Sequence, residues 1–400
     1  MGAMSEPSSK RAPSVATAAS LAVEYLDRLV VGTVRDVHHA VGRRSFRSTG
    51  AASAPARLMH DGISGSVYGI LGASLRTAGA ALRLLDRQGR GGRALDEAHA
   101  GRRVAAVVNG LIGESLDDED HPMAIRMSAR VEGRDVTDLA RAYPDATGDV
   151  VIFLHGLVED DESWHWGAES GAPTYAERLR SETSWSPVTM RYNTGLAVAR
   201  NGALLADWVT GLLRDWPTPV RRLALVGHSM GGLVALAACD EGATSAQWTP
   251  LVRHVVCLGT PHLGAPLERL AHWGASTLSR FPESTPFATI LNTRSAGILD
   301  LREAAPDCIP LPDARYHCFS ASMRAPFGLV VGDLLVRRAS ATGRIPGGTS
   351  QHLPGTHHFQ LLNHPEVYVD LRRRLTEPDR EPGAFAGAEN DTERSTRRRA

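Results

Sequence analysis

The stretch that most constrains this chain runs from Arg221 to Asp240, RRLALVGHSMGGLVALAACD. Leu223, Ala224, Leu225 and Val226 form a short unbroken apolar run, the pattern of a strand covered on both faces. Leu233, Val234, Leu236, Ala237 and Ala238 then read as a buried helix. Between the two lies Gly227-His228-Ser229-Met230-Gly231, with Gly232 behind it. A side chain presented at the tip of a strand-to-helix turn sits in a strained backbone conformation. Its neighbours two positions away must lack a Cβ, and glycine meets that need. The helix that follows aims free N–H groups and the positive end of its dipole at Ser229. A Gly-rich turn without chemistry is the plain alternative, but the strand before and the helix after are what a nucleophile requires. Ser229 is therefore the candidate nucleophile, and a base, an acid and oxyanion donors have to be found in the right order.

The surrounding pattern supports that placement. Val150–Leu154, Val188–Tyr192, the serine strand and Val255–Leu258 alternate with helical segments at 174–181 and 198–216. Such alternation implies an α/β fold with a largely parallel sheet covered on both faces. Reactive groups gather at the carboxyl ends of such strands, where Leu157, Ser229 and Thr260 all fall. Ala124–Val131 and the residues from Val136 read as a hairpin about Glu132-Gly133-Arg134. Further on, Tyr316–Ser320 reads as a strand, Val330–Val336 as a strand-end turn and His352–Leu362 as a loop. Asn363 or His364 then caps a closing helix with Pro365 at its first position.

Residues 123–375 thus form the α/β unit, with an apolar insert at 263–312 that should arch over the serine as a cap. Ahead of it, residues 18–116 carry three amphipathic helices, the first from about Ala18 to Val41. Those helices pack together or onto the α/β unit; a lipid-surface or oligomer contact is the other reading. Residues 1–17 and 376–400 are polar and charged or proline-containing, and are expected to be disordered.

Lys+Arg and Asp+Glu both number 44, so the chain lacks the basic excess of a nucleic-acid binder. Its four cysteines, Cys239, Cys257, Cys308 and Cys318, show no C-x-x-C spacing, so no zinc cage or redox motif is suggested. Cys239 and Cys257 read as buried thiols, and a Cys308–Cys318 bridge is open. Metal binding by His352, His357 and His358 lacks a carboxylate or cysteine at ligand spacing, so no metal and no cofactor are expected. The sequence carries neither a signal-peptide core nor an uncharged apolar run of the ~20 residues that span a bilayer. A cytoplasmic enzyme is the expectation.

A serine hydroxyl is a weak nucleophile until an imidazole takes its proton and a carboxylate orients that imidazole. In a fold of this kind the order is serine, acid, histidine. His254, His262 and His317 lie within or at the ends of strands, too early in the chain. His358, just before the last helix, fits best, with His357 as the competitor. Asp333, in a glycine turn after the strands that follow the insert, is the candidate acid; Asp313, Asp300 and Asp307 sit in turns or in the insert. The amides of Met230 and Leu157 are the candidate oxyanion donors, with His155 a structural residue behind them. Trp164, Trp166, Leu263 and Trp273 are candidates for an apolar substrate pocket, although core packing explains them equally well.

The elements LHGL, VGHSMGGLVA, LGTPHLGAP, VGDLLV and HHFQLLNHPEVY, in this order, resemble the α/β-hydrolase superfamily. More narrowly, the chain is similar to the esterase/lipase-like group that includes bacterial triacylglycerol lipases and GPI inositol-deacylase-like proteins. The resemblance covers roughly residues 123–375. It implies Ser229 as nucleophile, Asp333 as acid and His358 as base, acting on a small hydrophobic ester or lipid through an acyl-enzyme. An acyltransferase using the same acyl-enzyme is the alternative activity. A protein acting at a lipid surface through residues 18–116 is the alternative of another class.

Overall fold

The computed structural model describes residues 13–25, 73–92, 94–166, 172–243, 247–265, 295–301, 309–324, 330–331, 336, 338–341 and 345–378. The chain divides into two units, residues 1–125 with 270–295, and residues 126–269 with 296–400.

In the first unit, helix α1 spans Val15–Tyr25, beginning three residues before the sequence pattern suggested. The reason is a cap. Ser14 Oγ accepts from Thr17 N at 3.2 Å while Ser14 N donates to Thr17 Oγ1 at 3.0 Å. Asp86 then accepts from both hydroxyls. Asp86 lies at the end of helix α2, residues 73–87. Helix α3, His99–Asp118, buries Asn109 completely. Its amide donates to Met123 O at 2.7 Å and accepts from Ile125 N at 2.8 Å, so one side chain satisfies the backbone leaving the helix. The remainder of the first two predicted helices lies outside the described residues.

The second unit is built on a sheet. Its strands are β1 (Ser128–Val131), β2 (Arg134–Asp135), β3 (Asp149–Leu154), β4 (Trp185–Arg191), β5 (Arg222–His228) and β6 (Val252–Leu258), followed by β7 (Arg315–Arg324), β8 (Val330–Val331) and β9 (Thr349–Pro354). Among the described residues the order is β2-β1-β4-β3-β5-β6-β7. Beyond β7, β9 runs parallel along its middle and β8 pairs antiparallel with its last two residues. β4-β3-β5-β6-β7-β9 are all parallel; β1 joins antiparallel. The β1–β2 hairpin turns at Glu132 and Gly133, both at positive φ (50° and 70°), which suits the right-handed twist of a two-residue connection.

Val151 and Phe153, Ala224 and Val226, Val256 and Leu258, and Phe319 and Ala321 project into one core. Tyr175 and Leu179 of helix α4 (Tyr175–Glu182) and Tyr368, Leu371 and Leu375 of helix α7 (Pro365–Thr376) fill the other side of it. The alternate residues Val150, Ile152, Leu223, Leu225 and Val255 are equally buried, so both faces of the sheet are covered. Helices α5 (Val198–Asp215) and α6 (Met230–Gly242) lie close enough that a Cβ on Gly202 would meet Ala237 at 2.6 Å. This is the largely parallel, doubly covered sheet that the strand–helix alternation implied, and the α/β-hydrolase fold that the resemblance implied.

One element was missed. Residues 349–354 form β9, not part of a loop. Their sequence, TSQHLP, has no apolar alternation because the strand lies at the sheet edge with only Leu353 buried.

Candidate active site

β5 ends in the turn that carries Ser229, whose backbone adopts φ 52°, ψ −120°. A non-glycine residue holds such a conformation at a cost of order 1–3 kcal/mol, so its surroundings must enforce it. They do so by close backbone approach. A Cβ on Gly227 would lie 2.3 Å from Gly231 C and Gly232 N, and one on Gly231 would lie 2.2 Å from Leu154 O at the end of β3. The two glycines let α6 start directly above β5 and against β3. Ser229 N donates to Leu258 O at 2.8 Å, which ties the turn to the end of β6.

The neighbouring strand end forms the second wall. After β3 the chain makes a tight turn over Gly156–Glu159, with Glu159 N donating to Gly156 O at 3.2 Å. Val158 has φ 54°, an uncommon state for a β-branched residue. Val158 N donates to Thr194 Oγ1 at 3.2 Å, and Gly156 N to Glu159 Oε2 at 2.7 Å. The turn that contains Leu157 is thus held from outside and from within. His155, fully buried, stacks on Tyr192 at 4.4 Å between ring centres. Its Nε2 accepts from Tyr192 N at 3.4 Å, which leaves Nδ1 to donate to Gly156 O at 3.0 Å. Burial keeps this imidazole below its ordinary pKa despite the carboxylates nearby, in keeping with a structural role.

His358 opens a 3₁₀ turn, His358–Leu362, and is 1% exposed. Its ring packs on Gly259, where a Cβ would meet Cε1 at 2.9 Å and Nδ1 at 3.0 Å. Gly259 follows Leu258, the acceptor for Ser229 N, and has φ 62°, so glycine is required there twice over. On the other side, the His358 ring lies 4.6 Å from that of His228, the residue before the serine. The fold therefore brings Ser229 and His358, 129 positions apart (358 − 229), to one end of the sheet. His357 is instead the N-cap of the turn, its amide bonded to Gln360 Oε1 at 2.9 Å.

The 3₁₀ turn is fastened from outside. Tyr175 OH donates to Leu361 O at 2.9 Å and approaches His364 O at 3.0 Å. Asn363 accepts from Tyr175 N and donates to Trp164 O and Trp166 O. Trp164 is a core residue, edge-on to Phe153 at 4.9 Å, and Trp166 packs edge-on to Phe359 at 5.4 Å. Leu263 is about half exposed. Asp333 and Trp273 lie outside the described residues.

Sequence reasoning did not find the pair behind the serine. Glu159 and His228 are 3% and 0% exposed, and His228 Nδ1 stands 3.0 Å from both carboxylate oxygens. His228 Nε2 points at His358 O, 3.3 Å away. One ring nitrogen faces the Glu159 carboxylate and the other the His358 carbonyl, so this imidazole ties two segments at once. Burial pushes the Glu159 carboxyl upward, but His228 and the Gly156 amide outweigh it and hold it below the ordinary value. One buried His228–Glu159 contact thus joins the Leu157 turn, the serine turn and the His358 turn. The signal was present in the sequence: the H of G-H-S and an acid three residues after His-Gly.

His254 and His317 pair within the sheet, away from this end. His254 Nδ1 and His317 Nε2 share a proton contact at 3.2 Å, and His317 Nδ1 meets Thr349 Oγ1 at 2.8 Å. Burial, with nearby arginines, brings them down to about 3 and about 2. His352 spans Ser320 and Ser322 hydroxyls at 3.0 Å each. Cys318, which the sequence left open to a bridge with Cys308, is a thiol beside Cys257. The Cys257 hydrogen bond brings it down to about 5 against the opposing effect of burial, with His262 assisting.

Residues 145–274, which contain β3 to β6 and Ser229, match the family model described as a PGAP1-like alpha/beta domain. Sequence comparison with curated proteins finds no match. Among solved structures, the chain is similar to the mature form of the lipase BlEst2 from Bacillus licheniformis. Identity is 18%, over 63% of this chain and 97% of that one, with a TM-score of 0.42. It is also similar to the esterase RhEst1 from a Rhodococcus species, at 18% identity over 63% and 98% of the two chains and a TM-score of 0.38. The RedJ thioesterase of Streptomyces coelicolor matches at 21% identity over 58% and 92%, with a TM-score of 0.35. Among the described residues no helix is long and apolar enough to cross a membrane.

Proposed function

We propose that this protein is a serine hydrolase of hydrophobic carboxylic esters. Ser229 Oγ adds to the ester carbonyl carbon while the His358 imidazole takes the hydroxyl proton, with the Asp333 carboxylate orienting the ring. The carbonyl electrons move onto oxygen, and the amides of Leu157 and Met230 receive that oxyanion. When the carbon–oxygen bond to the alcohol breaks, His358 returns the proton to the leaving oxygen. Water then enters by the same route, frees the acid and restores Ser229.

The observation that carries this reading is the backbone of residue 229. Its conformation is held by two glycine contacts and a bond to Leu258, and the His358 ring packs on Gly259, the residue after that acceptor. A fold has no structural use for a serine on such a turn, since glycine would occupy it without strain. The α6 N-terminus directly after it supplies a field suited to a developing anion. The two oxyanion amides reside on turns that Glu159 and His228 tie together.

Hydrolysis of a p-nitrophenyl ester by the wild type, with loss in Ser229→Ala, tests the reading. Removing such a nucleophile costs on the order of 10⁶ in kcat in a related mechanism. A fluorophosphonate should add covalently to Ser229, seen as one modified peptide by mass spectrometry. Turnover retained in Ser229→Ala would reject it. A chain-length panel of esters then sets the acyl preference.

A further inference from the structure

Cys257, His262 and Cys318 form a cluster that the hydrolase mechanism does not use. Val256 and Leu258 on β6 and Phe319 and Ala321 on β7 face the core under α7. By alternation, Cys257 and Cys318 project from the opposite face. They stand side by side, since the parallel register pairs Cys257 directly with Cys318. All three residues are buried, and their donor atoms lie within 4.8 Å of one another. Cys318 Sγ is 3.7 Å from His262 Nε2. Zinc–sulfur and zinc–nitrogen bonds of about 2.3 and 2.0–2.1 Å at tetrahedral angles separate sulfur from nitrogen by about 3.6 Å. Cys318 and His262 thus already stand at the spacing of a coordination edge.

Two further features support a ligand set over an accident of packing. His262 is held by its backbone: its amide bonds to Thr260 O at 3.0 Å and to Ser340 O at 3.2 Å. The next amide, Leu263 N, donates to Ser340 Oγ at 2.9 Å, and that hydroxyl donates to Gly264 O. The loop that delivers the imidazole is therefore fixed before any ligand arrives. Charge also balances: two thiolates and a neutral imidazole around a divalent cation sum to zero, which a buried site requires. Sulfur and nitrogen donors select a borderline-soft ion over magnesium or calcium.

We propose that Cys257, His262 and Cys318 bind one zinc-type divalent cation, stapling β6 and β7 to the loop at 260–264. On binding, any proton held by either sulfur passes to solvent, both metal–sulfur bonds form from thiolate electron pairs, and nothing is oxidised. Three protein donors leave a fourth position for a water or a small anion. The proposal is independent of the hydrolase reading.

The reduced, metal-free full-length protein should bind one equivalent of Co²⁺, with the thiolate-to-cobalt charge-transfer and intense visible bands of a tetrahedral ion. Zn²⁺ should displace it and raise the melting temperature. Cys318→Ser and His262→Ala should weaken binding by more than the roughly 10–100-fold that loss of an outer-shell partner costs, while Cys239→Ser leaves it unchanged. The wild type supplies a test that no folding defect can obscure. Zn²⁺ should slow alkylation of Cys257 and Cys318, mapped by peptide mass spectrometry, without slowing that of Cys239. No stoichiometric cobalt uptake by the reduced chain, or alkylation of the pair indifferent to Zn²⁺, would overturn the proposal. So would a Cys257–Cys318 disulfide as the only product of air and metal.

Discussion

Two buried histidine pairs, one at the strand ends and one within the sheet, differ in what surrounds them. At the strand ends, the His228 ring lies tilted against that of His358 and bonds to the Glu159 carboxylate. Within the sheet, His254 meets His317, and Arg315 and Arg374 add to the effect of burial. Burial disfavours a charged imidazole in both places. Only the first pair has a carboxylate within bonding distance to offset it. The same residue type is thus tied to a carboxylate where three loops meet, and kept neutral among arginines within the sheet. What distinguishes them is the neighbour, not the depth.

Breaking the counter-ion should have the largest effect on stability. Glu159→Ala leaves the buried His228 Nδ1 without its carboxylate partner. Removing one member of such a pair costs about 3–5 kcal/mol; equilibrium urea unfolding measures it. A loss under 1 kcal/mol would mean that the pair carries no charge. In the double variant Glu159→Leu with His228→Leu, much of that stability should return, since paired apolar replacements are often neutral or better. Ester hydrolysis should stay impaired, because the Leu157 turn would have lost the Glu159 bond to Gly156 N.

The second pair predicts a pH dependence of its own. His254 and His317 fall from an ordinary 6.5 to about 3 and about 2 in the folded state. Below pH 6.5 the unfolded chain binds protons that the folded chain refuses, so stability falls as pH drops from 6.5 toward 3. Glu159, Asp149 and Asp135, which are held below their ordinary values, add a further loss as pH falls through the acid range. His317→Gln should flatten the upper part of the melting-temperature profile between pH 6.5 and 5 and leave the acid limb in place. An unchanged profile would remove the neutral-pair account.

The smallest effect sharpens the contrast between site and scaffold. Ser229→Gly relieves a positive φ at a position glycine tolerates, so it should raise stability by up to about 1 kcal/mol while ester hydrolysis disappears. A destabilised Ser229→Gly would show that the turn is not strained.

Much of this architecture was legible because it rests on local pattern. The apolar runs at Leu223–Val226 and Val150–Leu154 marked central strands, and G-x-S-x-G located the turn at residue 229. The hairpin at Glu132-Gly133 and the cap at His364, which accepts from Glu366 N, followed from turn and cap chemistry. What escaped notice depends on register and distance. β9 has no apolar alternation because it is an edge strand. Glu159 and His228 each sat in a motif already noted, but nothing along the chain says that a carboxylate 69 residues away meets that ring. Cys257 and Cys318 became neighbours only once β6 and β7 were aligned. No C-x-x-C spacing could have announced them.

The fastening of the 3₁₀ turn by Tyr175 and Asn363 has a practical corollary. If His358 is the base proposed above, its mounting on a segment bolted to α4 and to the chain at Trp164–Trp166 keeps it from shifting to suit differently shaped acyl groups. For anyone wishing to retune selectivity, those anchors are the wrong place to randomise: diversity introduced there would scramble the reaction centre before it altered what fits. Libraries aimed at exposed positions such as Leu263 leave the frame of reference intact.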